Sequence, residues 1–196
     1  DIDFSVKRGE TVGIIGGTGS GKSSLVNMIP RFYDASDGCI EIDGINIKDY
    51  SVEVLRKKIG IVMQKAVLFK GTVRENLLWG NESASDEDIF EALKTAQALE
   101  VVEGKKSGLD SEVAQGGKNF SGGQKQRLTI ARALVRKPEI LILDDSASAL
   151  DYATDASLRK AIRDMKDSPT VFIVSQRASS IKYADKIVVL DDGKIA

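Results

Sequence analysis

Gly16-Gly17-Thr18-Gly19-Ser20-Gly21-Lys22-Ser23 fits the pattern G-x-x-x-x-G-K-[ST], set between the apolar run Val12–Ile15 and the apolar-periodic stretch Ser24 to Ile29. A strand, a glycine-rich loop and a helix start, in that order, suit one kind of chemistry. Glycines let backbone N–H groups close around a polyphosphate, and a helix N-terminus adds positive partial charge. Lys22 can reach the outer phosphates, and the hydroxyl of Ser23 can ligate Mg²⁺, with Ser24 beside it at the helix start. Far along the chain, Ile140-Leu141-Ile142-Leu143 ends in Asp144, an apolar strand delivering a carboxylate. Beside a loop of this kind, such a carboxylate holds the metal's water shell next to the loop's serine. Together the two segments imply a nucleoside triphosphate with Mg²⁺. The chain has no histidine, so any base or switch at this site must be another residue type.

The elements that position these residues can be read from periodicity and breakers. Short strands are expected over Ile2–Val6, Thr11–Ile15, Cys39–Asp43 and Ile45–Ile47, with Asp43-Gly44 as a turn. A helix over Lys22–Phe32 is interrupted by Pro30, and a helix over Val52–Lys58 leads to the strand Ile59–Met63. From Thr72 to about Gly104 the pattern is mostly helical. Asp86–Leu99 carries Ile89, Leu93 and Ala96 on one face behind a Ser85 cap. Gly104–Lys118 reads as a polar loop. Beyond it, helices over Ser121–Arg136 and Ala153–Met165 alternate with strands Ile140–Leu143, Thr170–Ser175 and Lys186–Leu190. Such alternation predicts a parallel central sheet with right-handed crossovers.

At 196 residues the chain can bury a real core. Lys and Arg number 28 against 29 Asp and Glu, which leaves no field that would attract nucleic acid. The single cysteine, Cys39, excludes an internal disulfide and suits a reducing compartment. No apolar run is long enough to span a bilayer. The run Asp1 to Val6 alternates like the middle of a strand, and Lys194-Ile195 reads as the return arm of a hairpin turning at Asp191-Asp192-Gly193. Both suggest a piece of a longer polypeptide, and what precedes Asp1 could include membrane-spanning segments.

Two further segments carry a family resemblance. Phe120-Ser121-Gly122-Gly123-Gln124-Lys125-Gln126-Arg127 has a serine able to cap the following helix and two glycines that expose its N–H groups, a second anion site. This segment resembles the signature motif of ATP-binding cassette (ABC) proteins. Gln64, after the strand Ile59–Met63, is similar to the family's Q-loop, and Ser148-Ala149-Leu150-Asp151 to its D-loop. The resemblance runs through nearly all 196 residues. It implies an α/β fold: a P-loop NTPase core with a parallel central sheet, an antiparallel β subdomain and a helical subdomain carrying the signature motif. The single domain 1–196 would divide into a core over about 1–70 and 137–196 and a helical part over about 71–136. It also implies ATP as substrate, Mg²⁺ held by Ser23, Gln64 and Asp144, and head-to-tail pairing with a second nucleotide-binding domain. In that pairing Ser121, Gly122, Gly123 and Gln124 would touch the ATP held by the partner. Ser111–Gly117 resembles the X-loop of ABC exporters, and Leu68–Asn76 resembles the region facing a transmembrane domain's coupling helices. An exporter-type domain at the cytoplasmic face of a membrane is therefore expected.

Two positions depart from the family pattern. The strand-end Asp is usually followed by Glu, the general base; here Asp145 stands there. The switch position after Thr170–Val174 is usually His; here it is Gln176. Aspartate is one methylene shorter, roughly 1.5 Å of reach, and a misplacement of about 1 Å can cost about 100-fold in rate. Gln176 can donate a hydrogen bond but cannot become a cation. The expected outcome is ATP binding with slow or absent hydrolysis, resembling the degenerate-site subunit of heterodimeric exporters. Two alternatives remain at this level: an ATP-gated dimerising or regulatory module with little hydrolysis, and a non-transport ABC ATPase.

Overall fold

The computed structural model describes residues 2–146 and 148–196; Asp1, where the first alternating run begins, and Ala147 lie outside the described residues. The three most apolar runs form neighbouring strands: β1 (Thr11–Gly16), β7 (Ile140–Asp144) and β8 (Thr170–Val174), with β8 in the middle. Every residue of β8 is buried, as expected for a strand covered on both faces. Adding β4 (Ile59–Val62), β9 (Lys186–Asp191) and β10 (Lys194–Ile195) gives a six-stranded sheet in the order β10-β9-β1-β8-β7-β4. It is parallel except for β10, which returns antiparallel from β9 through Asp192 and Gly193, both at positive φ. That conformation makes the two-residue turn match the strand twist.

The register decides what the sheet can do. Ile14 lies opposite Val174, and Val174 opposite Asp144; Val62 pairs with Leu143. The carboxyl ends of β1, β8, β7 and β4 therefore form one edge, where ligands bind in open α/β sheets. One apolar cluster, Val12, Ile14, Leu25, Val26, Leu55, Ile59, Ile142 and Phe172, seats α1 (Lys22–Met28) and α2 (Val52–Lys57) on one side. A larger one joins the sheet to α3 (Val73–Leu78), α4 (Asp86–Thr95), α5 (Leu99–Glu103), α6 (Gly122–Val135) and α7 (Tyr152–Arg163).

Several local expectations are revised. Ile2–Val6 joins no strand ladder. The expected early hairpin shortens to β2 (Glu41–Ile42) and β3 (Ile45–Asn46), around Asp43 and Gly44 at positive φ, and leaves Cys39 exposed outside it. The first helix stops at Met28, ahead of Pro30, and Arg31 turns to positive φ. The helix from Asp86 breaks at Gln97, also at positive φ. Within the expected loop 104–118, β6 (Glu112–Val113) pairs with β5 (Gly71–Thr72). A short α8 (Ala178–Ile181) follows β8.

Candidate functional site

The loop after β1 is shaped by close approach. A Cβ on Gly16 would lie 2.2 Å from the Leu190 carbonyl oxygen and 2.5 Å from Ser20 Oγ, so no other residue type fits. Gly19 and Gly21 hold positive φ, and nothing stands within 4 Å of a Cβ built at Gly17 or Gly19. Gly17, Thr18 and Gly19 thus face open space with their backbone groups accessible. The hairpin β9–β10 braces the loop, Gly193 N donating to Ser20 O at 3.2 Å. Lys22 is only 8% exposed. Its Nζ donates to Gly16 O at 2.9 Å and Gly17 O at 2.6 Å, and lies 3.4 Å from Ser20 Oγ. Those carbonyls are weak partners for an ammonium, so an arriving phosphate can exchange for them.

Asp144 closes β7 at 5% exposure. Burial raises its carboxyl above the ordinary range, and the charge of Asp145 adds to this, while the Ser23 hydroxyl and Lys22 act in the opposite sense. Ser23 Oγ donates to Asp144 Oδ1 at 3.1 Å, and no Lys or Arg pairs with Asp144 among the described residues. A buried carboxylate with no salt-bridge partner among the described residues, beside a serine hydroxyl, is a hard-oxygen donor set that fits Mg²⁺. Among the described residues no group of three or more acidic or Cys residues is placed to hold a metal ion by itself. A metal here would therefore need further oxygens from its ligand's phosphates.

Gln64 and Asp145 meet directly: Gln64 Nε2 donates to Asp145 Oδ2 at 3.0 Å. Asp145 sits at φ 46, a left-handed conformation that Asp tolerates better than most residues. Its N–H donates to Val174 O at 2.9 Å, which ties it to β8. Gln176, two residues past the end of β8, is exposed at the same sheet edge. Gly16–Ser24, Gln64, Asp144, Asp145 and Gln176 thus gather at one edge.

The signature segment lies apart. Among the described residues no hydrogen bond joins Ser121–Gln124 to Gly16–Ser24. Ser121 caps α6, its Oγ accepting from Gln124 N at 3.2 Å, while Gln124 Oε1 accepts from Ser121 N at 3.0 Å. The Gln124 side chain is thereby turned onto its own helix. Gly122 faces open space, and a Cβ on Gly123 would stand 3.3 Å from Ala149 O. Asp151 caps α7 through Thr154 N at 2.9 Å.

The motifs passed over Arg132; the fold supplies its partners. From α6 its guanidinium donates to Asn76 O at 2.8 Å, Asn76 Oδ1 at 2.8 Å and Val67 O at 3.1 Å. It lies over the Phe69 ring, which stacks on Trp79 at 4.9 Å. Burial without a carboxylate lowers the guanidinium to about 10, still a cation at neutral pH. Arg177, also passed over, bonds to Ser148 O. Its signal was adjacency to Gln176 alone.

The family model described as ABC transporter matches residues 1–148. The chain is 47% identical over 195 residues to YwjA of Bacillus subtilis, named an uncharacterized ABC transporter ATP-binding protein, covering all of this chain and 34% of that one. The same figures hold for a Staphylococcus aureus chain named for multidrug export as an ATP-binding/permease protein. The chain thus spans about a third of the length of the curated relatives it matches. The solved structure of a bacterial Atm1-family ABC exporter with ATP bound superposes at a TM-score of 0.93, with 38% identity over 98% of this chain and 34% of that one. With the phosphate loop, the strand-end carboxylate and the capped Ser121-Gly-Gly helix on one sheet scaffold, the chain belongs to the ABC transporter family.

Proposed function

We propose that this chain is the ATP-binding, ATP-hydrolysing domain of an exporter at the cytoplasmic face of a membrane, with a slow site of its own. It works head to tail with a second nucleotide-binding domain and couples to a transmembrane domain. The observation that carries the reading is the convergence of Lys22, the Ser23–Asp144 pair and the Gln64–Asp145 pair at one sheet edge. The names of the relatives, an exporter with ATP bound and a multidrug export protein, support the transport role. None of the described helices is long and apolar enough to cross a membrane, so translocation would belong to a separate domain.

In this reading the N–H groups of Gly17–Ser24 and the α1 N-terminus take the phosphates, and Lys22 leaves the Gly16 and Gly17 carbonyls for them. Ser23, Asp144 and Gln64 would hold Mg²⁺, which when bound would supply charge neutralisation at the outer phosphates. Asp145 orients the attacking water as general base, but its carboxylate is short and engaged by the Gln64 amide. Gln176 offers a neutral hydrogen bond to the γ-phosphate. Ser121, Gly122 and Gly123 present the α6 N-terminus to the ATP of the partner domain, where Glu and His would complete a faster site. The Ser148–Asp151 loop lies at that junction. The Gln64–Asp145 bond also favours a second reading, an ATP-gated clamp whose hydrolysis is incidental.

Two substitutions in the assembled transporter separate these roles. Lys22→Ala is expected to abolish Mg²⁺-dependent ATP binding at this chain's site. Ser121→Ala is expected to lower overall turnover at least tenfold while that binding persists. If Ser121→Ala left turnover unchanged, the assignment of the signature segment to a partner's ATP would be wrong.

A further inference from the structure

Between the nucleotide edge and the signature helix lies one short segment, Ser148–Asp151, held from several sides. Its start is tied back to the site, Ser148 N donating to Asp145 O at 3.2 Å. Its end is fixed by Asp151 capping α7. Ala149 O abuts Gly123 so closely that an added Cβ would stand 3.3 Å away. The fourth grip comes from the segment after β8: Arg177 Nη2 donates to Ser148 O at 3.3 Å. Arg177 is itself oriented, its N–H donating to Oγ of the buried Ser175 at 3.0 Å. Further along the same segment, Lys182 Nζ lies 3.5 Å from the Tyr152 hydroxyl at the start of α7.

We propose that Arg177 is a positioning residue that clasps the Ser148–Asp151 loop to the switch segment, tying the state of this chain's own nucleotide site to its own signature motif. This rests on the reading above, in which Ser121–Gly123 serve a partner's ATP. The path is short and physical. Asp145 shares a bond with Gln64, Ser148 hangs from Asp145, Arg177 holds Ser148 beside Gln176, and Ala149 bears on Gly123. A γ-phosphate that draws Gln176 or Gln64 toward itself moves a segment whose Ala149 carbonyl lies against Gly123 of the signature helix. A slow site of this design keeps a use: its occupancy sets the pose of the α6 N-terminus. Arg177 does not need to touch nucleotide for this.

The test uses the full transporter in lipid nanodiscs, with steady-state kcat and KM for ATP and, separately, affinity for a fluorescent ATP analogue. Arg177 is exposed, so its substitution leaves the core intact. Arg177→Gln is expected to lower kcat about tenfold with analogue affinity and KM within about twofold of wild type, the loss of one charge-assisted hydrogen bond. Arg177→Lys, which keeps a cationic donor, is expected to recover most of that loss. A kcat within twofold of wild type for Arg177→Gln overturns the proposal. So does a parallel fall in affinity and kcat that Lys does not relieve. Ser121→Ala run alongside separates the two claims. A silent Ser121→Ala removes the reading of the signature segment and with it this route, whereas a damaging Ser121→Ala with a silent Arg177→Gln removes the clasp alone.

Discussion

Replacing Asp144 by Asn tests whether its buried charge serves a cation. The substitution keeps the shape and leaves Oδ1 as acceptor for the Ser23 hydroxyl, 3.1 Å away. It removes a charge at 5% exposure whose protonation is raised first by burial and then by neighbouring Asp145. Leaving a polar group poorly solvated costs about 1–3 kcal/mol, and weakening the Ser23 bond from charged to neutral returns part of that. The nucleotide-free protein is therefore expected to gain about 1 kcal/mol, a rise of roughly 2–4 °C in Tm for a chain of this size. The sign with pH follows: a carboxyl raised in the folded state favours folding below its unfolded value and loses that contribution as pH rises through its folded value. The advantage of Asn is thus expected at neutral pH and should vanish in acid. With Mg²⁺ and ATP the order reverses. Wild type at 100 times its Kd gains about 2.7 kcal/mol from ligand, and the variant should lose the Mg²⁺-dependent part. Thermal melts in EDTA, and with ATP with and without Mg²⁺, read both effects. A variant that melts lower without nucleotide, or shifts as far as wild type with Mg²⁺ and ATP, would refute this account of Asp144.

Other sites give sharper structural contrasts. Gly16→Ala drives a Cβ to 2.2 Å from the Leu190 backbone oxygen, so a loss of about 1–3 kcal/mol and of ATP binding is expected, measured by denaturation and calorimetry. Gly17→Ala meets nothing within 4 Å; it should leave stability within about 0.5 kcal/mol and weaken only nucleotide binding. Arg132→Lys keeps the charge but not the fork that reaches Asn76 and Val67, and a cost of about 2 kcal/mol in urea is expected. Asp88, paired with Lys137 and bonded to Ser85, is lowered to about 2 from 3.8. Its contribution is present above 3.8 and is lost as pH falls toward 2, so Asp88→Asn should flatten the acid limb of the stability curve in that window.

The parts of the fold legible in the sequence were those governed by local rules. Ile140–Leu143 is apolar throughout because both faces are covered, and Ser121 and Ser85 cap where a polar residue precedes a periodic run. Asp192-Gly193 forms the tight turn that its residue types require. What escaped depends on partners distant in sequence. Ile2–Val6 alternates like a strand, yet alternation cannot supply a neighbour to bond with. The β5–β6 pair joins residues about 40 apart through two residues each, too short for a periodic signal. Arg132 and Arg177 are ordinary charges until the fold sets carbonyls of Asn76, Val67 and Ser148 before them. Likewise Asp145 and Gln176 stand out from the family pattern, but only the fold brings Asp145 to Gln64.

We propose that the Lys22 site binds ATP yet turns it over slowly because of Asp145 and Gln176. The most direct measurement is single-turnover hydrolysis with the Lys22 site saturated, in wild type and in Asp145→Glu/Gln176→His, each with Mg²⁺. The account predicts tight binding in both proteins and a rate in the double variant about 100-fold above wild type, the size of the loss that a misplacement of about 1 Å produces. Brisk wild-type hydrolysis that the double substitution leaves unchanged would contradict it, and Asp145 would then be a sufficient base.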